Sequence, residues 1–347
     1  GQLPRAAPAA ECPAVPRARG SRPRGGRVRR GAADRAWLRL RRRARRPAGP
    51  EHDFHRLVVQ GVRLRAGTFD AREVGAVEAL AAKGADVRTK DTNGITALMV
   101  AAAANKAPVV RYLASKGVDV NIADKQGTTA LMAAAFAGHL AAVEALLDGG
   151  ANANVKDQNG RTALHAAAMG GDARIARALL SRGADLNAED LGGLSALAYA
   201  ASNGHAPVVE VLQKAGLKKG ADMALAYAAR SCHEDTVKLL LGNKANVNAK
   251  PGGKPALSMA AAGGCESSVR LLLSAGAAVN ATDDAGRTAL MEAANVGVLS
   301  IVQMLLDKGA DLDMRNKDGQ NAWLIAAMSQ KLDIIELFKK LRGTPQP

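Results

Sequence analysis

Six histidines and three cysteines are the side chains of this 347-residue chain best suited to metal or nucleophilic chemistry. The histidines are His52, His55, His139, His165, His205 and His233; the cysteines are Cys12, Cys232 and Cys265. Cys232-His233 together with Cys265 is the one set of metal-ligand type. His233 and Cys265, however, hold the same column of a periodic pattern. They should stand about 8–10 Å apart, as neighbouring packed helices do, whereas zinc ligands must all come within about 2 Å of the ion. No metal site is expected. Without a Cys-x-x-Cys, neither a disulfide framework nor a zinc ribbon is expected, and the cysteines read as free thiols. His139, His205 and His233 share one column, which argues for a single structural job, hydrogen bonding to turn backbone. There is no Gly-x-Gly-x-x-Gly, no Walker-type phosphate loop and no His-Glu-x-x-His. The chain is therefore expected to be no enzyme, with no catalytic residue and no cofactor. Asn280-Ala281-Thr282 is a glycosylation sequon, expected to be silent.

The charges point elsewhere. Lys plus Arg minus Asp plus Glu is 48 − 32 = +16, and aromatics are only 3%, too few for base-stacking platforms. Residues 1–50 hold 15 Arg, no Lys and only Glu11 and Asp34 as acids, so they carry +13 of that total. Ala, Pro, Gly and Arg fill 39 of those 50 positions. Such a segment buries too little apolar surface to offset its ordering entropy, and residues 1–69 are expected to be disordered. Two readings stand for it. One is a basic arm that neutralises phosphates. The other is a stretch not selected as protein, such as GC-rich DNA read through or a frame slip near residue 70. No apolar run approaches the roughly 18 residues of a membrane span.

The remaining chain repeats itself. Thr96-Ala97-Leu98-Met99 recurs as Thr129-Ala130-Leu131-Met132, Thr162-Ala163-Leu164-His165 and Ser195-Ala196-Leu197-Ala198, with the leucines 33 apart. It returns at Pro255-Ala256-Leu257-Ser258, at Thr288-Ala289-Leu290-Met291 and, with Trp in the Leu column, at Asn321-Ala322-Trp323-Leu324. Met223-Ala224-Leu225-Ala226 falls out of step. Gly-Ala-Asp-x-Asn-like segments keep the same pace at Gly117, Gly150, Gly183 and Gly309, each followed by an Asp-x-x-Gly turn or its equivalent. Thr96, Thr129, Thr162 and Thr288 suit helix N-caps. Val143, Leu146 and Leu147, or Val302, Leu305 and Leu306, mark a second amphipathic helix. The glycines suit left-handed helix ends.

This pattern resembles the ankyrin repeat, whose units run Asp-x-x-Gly-x-Thr-Pro-Leu-His-x-Ala-Ala, a Gly-His turn, Val-x-x-Leu-Leu and Gly-Ala-Asp-Val-Asn. Here the family's Pro is usually Ala and its His usually Met; His165 matches the family's capping histidine. The resemblance implies an all-α repeat: an ankyrin α-solenoid with hairpin fingers and about eight units over 70–343. The units fall at 70–90 (a half repeat), 91–123, 124–156, 157–189, 190–217, 218–249, 250–282, 283–315 and 316–343, the last a cap; they are numbered one to nine below. Around Leu217-Lys218-Lys219-Gly220 the spacing leaves no room for a full finger, and a truncated hairpin with a local kink is expected.

Resemblance also implies recognition as the function: a non-catalytic scaffold binding an unidentified protein partner on a concave face of first helices and fingers. Phe136 and Met169 have the anchor composition of an interface, with packing between helices as the competing reading for each. Arg161 and Arg287, with Lys254, are expected to be exposed. Gln126, Asn159, Arg230 and Asn295 complete the expected partner-binding set. Nucleic acid is expected only through residues 1–50, with the solenoid as a protein-binding spacer. The resemblance suggests a bacterial, monomeric protein, and the free thiols a cytoplasmic one; a periplasmic or secreted location stays open.

Overall fold

The structure, a computed structural model, describes residues 58–59, 62–63, 72–217 and 219–343. The basic arm falls outside the described residues, and so does the segment expected to be disordered, 1–69, except at 58–59 and 62–63. No first helix precedes Arg72–Ala82 in the half repeat of unit one among the described residues. Two short strands, β1 (Val58–Val59) and β2 (Val62–Arg63), pair antiparallel.

From residue 72 onward the described chain is helical. Unit one contributes α1 (Arg72–Ala82). Units two to five contribute pairs: α2 (Ala97–Ala103) and α3 (Ala107–Ser115), α4 (Ala130–Ala137) and α5 (Leu140–Asp148), α6 (Ala163–Gly170) and α7 (Ala173–Ser181), α8 (Ala196–Ser202) and α9 (Ala206–Lys214). Units six to nine add α10 (Ala221–Arg230) and α11 (Glu234–Gly242), α12 (Ala256–Gly263) and α13 (Glu266–Ser274), α14 (Ala289–Val296) and α15 (Leu299–Asp307), α16 (Ala322–Met328) and α17 (Leu332–Gly343). First helices pack on first helices in sequence, α2 through α16, and second helices likewise, α1 through α17. The result is the expected all-α repeat solenoid.

Helices of two turns are unstable alone, so their ends and their stacking must hold them. The hydroxyls of Thr96, Thr129 and Thr288 accept from the backbone N–H of Met99, Met132 and Met291, each at 3.3 Å, as the caps were expected to do. The apolar columns fill the space between the rows: Leu98, Leu131, Leu164, Leu197, Leu225, Leu257 and Leu290 are all essentially buried. Alanines beside them, such as Ala133 to Ala135, let the first helices approach closely. Second helices end in a left-handed residue, which is glycine at Gly117 (φ 69°) and Gly309 (φ 83°) but Lys244 (φ 65°) in unit six.

Neighbouring units are also tied by polar ladders. Asn121, Asn154, Asn248 and Asn280 accept through Oδ1 from the backbone N–H of Asn152, Asp185, Ala278 and Asp311 at 2.7–2.8 Å. The sequon asparagine is one of these: Asn280 also donates from Nδ2 to the Gly309 carbonyl at 3.1 Å. The histidine column does the job expected of it. Nε2 of His139, His205 and His233 bonds the carbonyls of Ala103, Met169 and Ser202 in the preceding unit at 3.0–3.2 Å.

Fingers form where the Asp-x-x-Gly turns lie. Asp91, Asp124, Asp157, Asp190 and Asp283 each accept on Oδ1 from the backbone N–H groups two and four residues on. Unit six has no full finger: α9 ends at Lys214 and α10 begins at Ala221, and no finger bridge forms between them among the described residues. With the chain this short, Asp222 moves into the asparagine ladder and accepts from Asn246 N–H at 2.7 Å.

Candidate protein-interaction face

The fingers are joined tip to tip by one backbone rung each. Lys125, Gln158 and Leu191 donate from N–H to the carbonyls of Asn93, Gln126 and Asn159 at 2.8–3.0 Å; Asp284 and Lys317 donate to Gly253 and Ala285. A Cβ on Gly127 would come within 2.9 Å of the Asp157 Cα, so small residues are required where fingers meet. Beside this strip lies the outer surface of the first helices.

Arg161 corrects the expectation of exposure. Its side chain is 5% exposed and that of Asp157 is 1%, with Nε donating to Oδ2 at 3.0 Å. Asp157 also holds the N–H groups of Asn159 and Arg161 through Oδ1. The arginine therefore locks its own finger instead of projecting from it. Arg287 corrects it in part: half-buried, it pairs through Nε with the Glu292 carboxylate at 3.2 Å. Burial pushes the Glu292 carboxyl above the usual carboxylate range, against the pull of Arg287, Lys254 and Arg230.

Phe136 and Met169, at the ends of α4 and α6, are both half-buried, and Phe136 packs partly against the core. A Cβ on Gly170 would stand 2.5 Å from the Phe136 carbonyl oxygen, which fixes how closely α6 passes the end of α4. Gln126 is half-buried at its fingertip, and Asn159 is exposed. Arg230 and Asn295 are exposed; Asn295 accepts from the Ser329 hydroxyl at 2.9 Å. Of the eight expected residues, Arg161 is structural and Arg287 is committed to Glu292.

His165 caps α6. Its Nδ1 accepts from the Thr162 N–H at 3.1 Å and Nε2 bonds the Leu194 carbonyl at 3.1 Å, which fixes the proton on Nε2. Burial lowers its pKa from the ordinary value, with the Leu194 carbonyl opposing. Its ring meets Tyr199 edge-on at 5.9 Å, and Tyr199 donates to Asp190 Oδ2 at 2.6 Å.

Cys232 and Cys265 correct the reading of free thiols, for they form a disulfide with Cα atoms 5.0 Å apart. Helix spacing misled because Cys232 lies one residue before the histidine column, at a left-handed φ of 62°. That turn swings it toward the next unit. Cys265 stands in the histidine column itself, its Sγ 3.3 Å from the Arg230 carbonyl. Among the described residues no cluster of ligands could hold a metal ion, and no helix is long and apolar enough to cross a membrane.

Two features escaped the spacing argument. Leu191, 81% exposed, is an apolar fingertip in a column that elsewhere holds Thr92, Lys125, Gln158, Pro251, Asp284 and Lys317. That contrast was readable in the sequence. The Glu292 pair was not, because it depends on which side chain of α14 turns toward the finger.

A family model described as "Ankyrin repeats (3 copies)" matches residues 69–157, 143–223, 214–283 and 257–344. The crystal structure of the human ASB11 ankyrin repeat domain is similar, with a TM-score of 0.58 and 28% sequence identity over 62% of this chain and 99% of that one. No curated protein sequence matches significantly.

Proposed function

The chain belongs to the ankyrin-repeat family, and we propose that it is a non-catalytic scaffold holding a protein partner against its first helices and fingers. The observation that carries this reading is the unbroken stack of first helices, with fingers beside them in every full unit but the sixth. Its helices and fingers are braced from below by caps, ladders and the buried Arg161–Asp157 pair, so its outward side chains are held without help from a ligand. Phe136 and Met169, flanked by Gln126 and Asn159, are the proposed centre; Arg230 and Asn295 extend it. Fold alone names no partner.

The test is affinity capture followed by binding measurements, with the full chain as bait. A partner that loses about tenfold or more in affinity for Phe136→Ala/Met169→Ala, at unchanged helical content, supports the proposed centre. Equal capture by that double variant refutes it. Arg161→Ala is unsuitable as a contact probe, since it acts on the finger.

The +13 charge of residues 1–50 favours a second reading, an arm that holds nucleic acid while the solenoid holds protein. It requires affinity for RNA or DNA that falls steeply with salt; a flat salt response sinks it. A cytoplasmic location no longer has free thiols as its ground, and disulfides persist in oxidising compartments.

A further inference from the structure

The row of fingers has one gap, and its two walls differ from every other finger. The carbonyls of Asn93, Gln126 and Asn159 each receive the N–H of the next finger. Gly192 is the next acceptor in that column, and unit six brings no finger to supply the donor. Across the gap, the donor column of unit seven is filled by Pro251, which has no N–H to leave unpaired. The gap thus ends in an acceptor with no donor among the described residues on one side, and in a backbone without a donor on the other. An open edge of this kind is a template for an added extended segment.

The base of the gap is closed by the link from α9 to α10. Lys219 reaches back to Glu189 Oε1 at 2.9 Å, and a Cβ on Gly220 would lie 3.2 Å from the Ser195 hydroxyl. The near wall of the gap carries Leu191, the most exposed large apolar side chain described. Its floor is α10, with Tyr227 half-buried and Arg230 exposed; its far wall carries exposed Lys254. Tyr199 of unit five spends its hydroxyl on Asp190 of its own finger, whereas Tyr227 has no finger aspartate to bond. Neither Arg230 nor Lys254 forms an ion pair among the described residues. Nearby acids are already engaged: Glu292 pairs with Arg287, Asp283 holds the N–H groups of its own finger, Asp222 on α10 accepts from Asn246, and Asp284 packs over Gly253. Arg230 and Lys254 both act on Glu292, so the two cations share one neighbourhood.

We propose that the slot left by the missing finger docks an extended acidic segment of a partner protein, whose main chain takes the rung that unit six lacks. One backbone N–H of the segment donates to the Gly192 carbonyl, an apolar side chain lies on Leu191 and Tyr227, and carboxylates meet Arg230 and Lys254. The inference rests on the scaffold reading and adds a second surface, apart from Phe136 and Met169.

The probe is a random peptide library about ten residues long, long enough for one extended strand. It is selected on the full chain after depletion on the variant Leu191→Asp/Arg230→Glu/Lys254→Glu, which keeps the arginine arm and so removes peptides that merely bind it. The expected survivors combine an apolar residue with carboxylates and bind about tenfold more weakly to Lys254→Glu or Leu191→Asp alone, as loss of a charge-assisted or apolar anchor implies. N-methylation of one backbone amide, and not its neighbours, causes a comparable loss. Helical circular dichroism of each variant must match the parent; if the triple variant fails this, Lys254→Glu alone serves for depletion. Three results overturn the proposal: no survivors, survivors without carboxylates, or survivors insensitive to every N-methylation. Survivors lost by Phe136→Ala/Met169→Ala but kept by Lys254→Glu sink the slot and leave the scaffold reading standing.

Discussion

Truncating Arg161 should damage the finger of unit four, and the size of the damage follows from its surroundings. Arg161→Ala leaves the Asp157 carboxylate, 1% exposed, with Oδ2 stripped of its partner. Breaking a buried pair by removing one member costs about 3–5 kcal/mol. Here Asp157 keeps two backbone donors on Oδ1, at 2.8 and 2.9 Å, so the cost should fall just below that range, at about 2–3 kcal/mol. Asp157→Ala removes those turn bonds too and should cost about 3–5 kcal/mol. Because both variants lose the same contact, the double variant should show a coupling of about 2 kcal/mol. A global melt would dilute the effect, since solenoid stability is a sum of unit and neighbour contributions. Native-state hydrogen exchange at amides of the fingers and first helices of units three to five reads it locally. Had Arg161 been a surface residue, each single variant would cost at most about 1 kcal/mol. A coupling below about 0.5 kcal/mol refutes the locked-finger reading.

Reducing the Cys232–Cys265 bridge, or replacing Cys232 by Ser, should destabilise units six and seven by up to about 3–4 kcal/mol, from closure of a 33-residue separation; thiol titration with local hydrogen exchange measures it, and unchanged exchange there contradicts the bridge. Because burial lowers the His165 pKa, the unfolded chain binds that proton first. Stability is full above about pH 6.5, the unfolded value, and falls as pH drops through it toward the lowered folded value; His165→Gln should flatten that slope in thermal unfolding. Lys244→Gly should stabilise the end of α11 by about 1 kcal/mol, because a left-handed φ of 65° disfavours a side chain; a lower urea midpoint counts against it. Gly170→Ala should destabilise the α4–α6 junction by about 1–3 kcal/mol, since its Cβ meets the Phe136 carbonyl at 2.5 Å; an unchanged midpoint would show that the junction yields freely.

The solenoid was legible because it is periodic. Threonine caps, leucine columns and left-handed glycines each recur in the place where local chemistry needs them, and repetition turns weak propensities into one register. The histidine column was legible for the same reason. What failed did so where a residue leaves the average. Arg161 occupies an exposed-looking finger column, but its guanidinium folds back on an aspartate four residues earlier. Column spacing placed Cys265 too far from its partner because Cys232 sits one step off that column, on a left-handed turn. The missing finger, by contrast, could be inferred from length. Among the proposed contact residues, composition marked Phe136 and Met169 but could not divide their surface between core and partner.

Unit six shows that the stack closes over a missing finger, since α8 packs on α10 and α10 on α12 without interruption. Gaining or losing fingertip residues therefore changes the outline of the molecule and leaves its frame intact. An array built this way can lengthen, trim or trade fingers one at a time, each step still a foldable chain. Removing a turn of a first helix would instead disturb both neighbours at once. Cohesion and recognition are written in different stretches of the repeat, so selection can revise what the protein touches while holding constant how it stands.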